Sequence, residues 1–103
     1  MMKLLIITAI TAFEENIKQM LKEAEVTTFT YKHVTGYRDS TMDSIENNWF
    51  GSEMNENESV LFYAFLKKEK VDVFFDLVEQ ENAKKESKSS IHVASINIEK
   101  INS

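Results

Sequence analysis

The side chains that could do chemistry are few and scattered. His33 and His92 are the sole histidines. Two imidazoles and a carboxylate would hold zinc or copper if assembly joined them. They have no close ligand spacing, and a packed or surface histidine is the ordinary alternative. Arg38 and Asp39 follow Gly36 and Tyr37. A guanidinium beside a tyrosine and a flexible glycine suits a phosphate or carboxylate, while Arg38 and Asp39 could equally pair with each other in a solvated turn. Lys84, Lys85, Ser87, Lys88, Ser89 and Ser90 form a basic, serine-rich link, read either as an anion cradle or as a solvated turn. Trp49 and Phe50, followed by Gly51, sit in an acidic stretch. Aromatics there serve equally to dock a partner or to anchor the stretch on the core.

Composition removes several function classes. The 103 residues contain no cysteine, no proline and two glycines, Gly36 and Gly51. A disulfide scaffold, a thiolate metal site and a cysteine nucleophile are thereby excluded, and no glycine-rich phosphate loop can be written. No serine has a nucleophile-elbow setting, and no carboxylates can be paired for general acid/base work. The chain therefore reads as a non-enzyme. Its net charge of −5 argues against nucleic acid as a partner. Met1 to Ile10 superficially resembles a leader, but the apolar run is short and no convincing cleavage context follows. No segment approaches the roughly 20 apolar residues that span a bilayer, so a cytoplasmic protein without membrane insertion is expected.

The elements that must position these residues follow from periodicity. Lys3 to Ile10 and Ser59 to Leu66 are apolar at both parities, the pattern of central strands covered on two sides. Thr11 to Glu14 reads as a capping box, with Thr11 as N-cap and Glu14 reaching back. Phe13, Ile17, Met20, Leu21 and Ala24 then make one helical stripe. Val26 to Tyr37 alternates as a half-exposed strand. In the second helix, Glu69 to Asn82, Val71, Phe74, Phe75 and Val78 face inward, while Val73 and Leu77 widen the apolar surface. Ile91 to Ile98 is the last strand. Between the second and third strands lies a long polar excursion, about 37–58, whose length is uncommon without a reason.

The order β-α-β-β-α-β predicts one α+β, ferredoxin-like domain over 1–103, an antiparallel sheet with two helices on one face. Strand order four, one, three, two makes central the two strands that are apolar on both sides. Helices cover one face only. The other is expected to be buried against another copy of the chain or a partner, unless the long excursion covers it.

Val34-Thr35-Gly36-Tyr37-Arg38, leaving a strand for a long loop, and Ser89-Ser90-Ile91-His92-Val93, entering the last strand, resemble the corresponding parts of the nitrogen regulatory PII-like superfamily, which includes CutA-like proteins. Asn97-Ile98-Glu99 is similar to the end of that strand. The resemblance covers Lys3 to Glu99. It implies a homotrimer with inward-facing sheets, a small effector in the subunit clefts, and a target protein such as a membrane transporter touched by the 37–58 loop. By position it assigns ligand binding to Gly36, Arg38, Lys88 and Ser90; the aromatics Tyr37, Trp49 and Phe50 of the long loop are the candidate partner contacts. The CutA-like alternative implies divalent-metal binding or metal tolerance through His33 and His92. Where PII proteins carry a glycine-rich nucleotide loop, residues 84–90 hold no glycine. No cofactor is named by the sequence.

Overall fold

The computed structural model describes residues 1–37, 56–84 and 89–102. β1 (Met2–Ile10) leads through a single 3-10 turn (Thr11–Phe13) into α1 (Glu14–Glu23); β2 (Thr30–Tyr37), β3 (Glu56–Lys67), α2 (Lys68–Lys84) and β4 (His92–Asn97) follow. The strands form one antiparallel sheet in the order β2-β3-β1-β4. This is the expected α+β ferredoxin-like topology, with β1 and β3 at its centre.

Because strand side chains alternate between faces, the register fixes what each face contains. Leu5 lies opposite Ala64, Ile7 opposite Phe62 and Ala9 opposite Val60. These six are buried with Ile17, Met20 and Leu21 of α1 and Val71, Phe74 and Val78 of α2. Phe62 also stacks on Tyr31, ring centroids 5.1 Å apart, and meets Phe29 at 5.6 Å. The opposite parity supplies the other face: Leu4 beside Phe65 and Ile96, and Ile6 beside Tyr63 and Ala94. There Phe65 is 50% exposed, Tyr63 40% and Ile96 44%.

Three local expectations are corrected. Thr11 and Glu14 form no capping box, because residues 11–13 make a 3-10 turn and no side chain caps the start of α1. Glu14 instead spends its carboxylate on Lys18 and His33. β2 begins at Thr30, not Val26, because Val26 is consumed in ending α1. Val73 of α2 remains 47% exposed, whereas Leu77 packs against the core as expected.

The end of α1 is a Schellman motif. The Val26 amide donates to the Leu21 carbonyl at 2.8 Å and the Glu25 amide to the Lys22 carbonyl at 3.0 Å, with Val26 and Leu21 both buried. Glu25 holds the left-handed position, φ 61°, which glycine normally occupies. A side chain there costs roughly 1–2 kcal/mol, partly offset by the greater freedom glycine has when unfolded. Glu25→Gly is therefore expected to raise unfolding stability by about 0.5–1 kcal/mol in urea titrations; a loss would contradict this account of the turn.

Candidate functional site

One pole of the sheet collects the residues singled out by type. In register, Ile10 lies opposite Ser59, Thr8 opposite His92, and Gly36 opposite Asn57. The end of β1, the end of β2 and the beginnings of β3 and β4 thus share one end of the sheet. Segments 38–55 and 85–88 are joined to the fold at this pole. A cleft of about 270 Å³ opens here, lined by Thr11, His33, Val34, Thr35, Glu58 and Ser59. The Thr8 and Ser59 hydroxyls, both on the face without helices, are buried with no hydrogen-bond partner among the described residues.

Gly36 is buried in β2, Tyr37 beside it is 62% exposed, and Ser90 is half-buried before β4. Arg38, Asp39, Trp49, Phe50, Gly51, Lys85, Ser87 and Lys88 lie outside the described residues. Gly36 and Ser90 share the pole but stand at opposite edges, because β2 and β4 are the outer strands. With strands about 4.8 Å apart, those edges are separated by about 14 Å. His33 and His92 are likewise on opposite edges. His33 projects to the helix-covered face with Val60, whereas His92 shares the other face with Thr8. A single chain therefore does not bring the two imidazoles together, and no three His, Asp or Glu side chains gather as metal ligands among the described residues.

Two arrangements that the sequence reading missed brace this pole. In the first, the Glu14 carboxylate meets Lys18 Nζ at 2.8 Å and His33 Nε2 at 2.5 Å. Lys18 also donates to the Tyr31 hydroxyl at 3.2 Å and sits 4.3 Å from that ring's centre. The network ties the first turn of α1 to edge strand β2, from which the long excursion departs. Glutamate four residues before lysine on a helix was its one visible signal. In the second, the Asn82 side chain pairs with both polar groups of Ile91. Its Nδ2 donates to the carbonyl, and the Ile91 amide donates to its Oδ1, each at 2.9 Å. This side chain substitutes for a neighbouring strand and fastens the close of the basic link to the last turns of α2.

No family model matches the chain and no curated protein matches it in sequence. Solved structures resemble it in fold. CPII of Thiomonas intermedia K12, a nitrogen regulatory PII-like protein bound to ADP, AMP and bicarbonate, superposes with a TM-score of 0.63 at 15% identity, over 98% of this chain and 96% of that one. A DUF3240 family protein from Shewanella baltica OS155 gives 0.68 at 13% identity, over 99% and 94%. The GlnK–ATP complex of B. subtilis gives 0.59 at 21% identity, over 92% and 81%. The chain has the PII-like fold. Among its described residues no helix is long and apolar enough to cross a membrane.

The Glu14 network predicts a pH signature. Hydrogen bonding from Lys18, then from His33, holds the Glu14 carboxyl below its ordinary 4.5, and the same contact raises the Lys18 ammonium. A depressed carboxyl contributes stability above its unfolded value and loses it as pH falls through the folded one. Glu14→Gln should therefore be less stable than the parent at neutral pH, with the difference shrinking below about pH 4.5. Urea midpoints measured across pH 2.5–7 check this; parallel acid limbs would contradict it.

Proposed function

We propose that this chain is a divergent PII-like regulatory or adaptor protein. It acts by binding rather than catalysis, as a homotrimer whose subunit clefts hold a small ligand and whose 37–58 loop meets a target protein such as a membrane transporter. The observation that carries this reading is the sheet face that the described residues leave without a helix, with Phe65, Tyr63 and Ile96 exposed together. Large apolar side chains are worth roughly 1.5–3 kcal/mol each when fully removed from water, and a contiguous patch of this kind is characteristic of an interface.

Topology supports a ligand site between chains. Gly36, with Arg38 just beyond it, leaves one edge of the sheet, whereas Lys88 and Ser90 lead into the other. Within one chain the two halves stand about 14 Å apart with two strands between them. When the β2 edge of one copy meets the β4 edge of the next, the two halves adjoin. The strands run suitably for this: β2 and β4 are antiparallel to each other, and the end of β2 shares its pole with the start of β4.

The solved relatives support the ligand class in part. CPII is bound to ADP, AMP and bicarbonate, and GlnK to ATP. Arg38, Lys84 and Lys88 suit an anionic group. The absence of glycine across 84–90 removes the close backbone approach on which glycine-rich phosphate loops depend, which favours a ligand with less phosphate than ATP. Light scattering at micromolar concentration is expected to give three times the chain mass, and Phe65→Glu, which puts a charge into the face, is expected to give the monomer. A monomeric parent protein would overturn the proposal.

A further inference from the structure

We propose a second binding site, at the opposite pole of the sheet, for a small aliphatic carboxylate. β3 has twelve residues and β2 eight, and β2 begins opposite Tyr63. Residues 64–67 therefore outrun it, while 26–29 cross the gap outside any strand. The mismatch leaves a cleft of about 300 Å³ between these two segments. It lies about 26 Å from the pole described above, eight strand residues along β1.

The lining sorts by chemistry. Val26 and Leu66 are buried and, with Met2, give the cleft an apolar wall. Lys67, Lys70, Thr27 and Thr28 supply donors. Lys70 Nζ donates to the main-chain oxygen of Glu25 at 2.7 Å, so the carbonyl of the left-handed residue ending α1 fixes where that ammonium sits and leaves its other two N–H bonds available. An ammonium already held in place loses less freedom on binding. Neither Lys67 nor Lys70 pairs with a carboxylate among the described residues, and the exposed Glu25 carboxylate engages neither. Two ammonium groups and two hydroxyls beside an apolar wall fit a carboxylate head with a short hydrocarbon body. In a chain of net charge −5, attraction for an anion has to be local in this way.

Amide NMR titration tests this with hexanoate as the probe and inorganic phosphate as the comparison. Saturable shifts are expected at Thr27, Thr28, Leu66 and Lys67, with hexanoate binding more tightly than phosphate. Lys67→Gln, which removes no internal bond, should weaken hexanoate about tenfold, the scale of one charge-assisted hydrogen bond. Glu79→Gln, exposed on α2 and outside the cleft lining, should leave binding unchanged. No saturable shift at these amides, phosphate binding as tightly as hexanoate, or full affinity in Lys67→Gln would each overturn the proposal.

Discussion

Alternation of side chains along β1 and β3 is the constraint on which the rest of this molecule depends. Both strands are apolar at both parities, yet the two helices among the described residues both lie on one side. Leu5, Ile7, Val60 and Phe62 thereby gain a core, while Leu4, Ile6, Tyr63 and Phe65 do not. Register makes this division rigid, because a slip of one residue would exchange the two sets wholesale. Among the described residues the sheet thus has one face covered by helices and one on which large apolar side chains stay exposed.

The same register gathers the candidate ligand and partner positions at one pole. Gly36 and Tyr37 end β2 where Ser90 precedes and His92 begins β4, but two central strands stand between them. The braces at this pole, Glu14 with His33 and Asn82 with Ile91, hold the two departure points to the helical layer. Neither brace contributes much to a core, and both set where irregular chain leaves regular structure. In the proposed assembly the burial of the open face and the joining of the two half-sites would be met by a single event, the meeting of chains.

Much of this was legible in the sequence because it rests on periodicity. Apolar residues at both parities marked β1 and β3 as central, and the stripe from Ile17 to Ala24 marked the buried face of α1. What escaped depended on partners distant in sequence. Glu14 looked like half of a capping box because Thr11 lies three residues before it, but His33, nineteen residues on, competes for the same carboxylate. Val26 continued the alternation of β2 on paper, yet the Schellman turn claimed it. Asn82 gave no signal, since an amide pairing with a backbone nine residues later has no spacing rule. The pole itself is a property of strand order and register together, and no linear motif encodes it.

The central claim is that the face carrying Tyr63, Phe65 and Ile96 is covered by another copy of the chain. Isotope-filtered NOE spectroscopy on a mixture of labelled and unlabelled protein tests it at the level of individual side chains. The account predicts intermolecular contacts to the Tyr63 and Phe65 rings and the Ile96 methyl groups, and none to Val73 on the outer side of α2. Intermolecular contacts confined to the helical layer, or none at the sheet face, would contradict it.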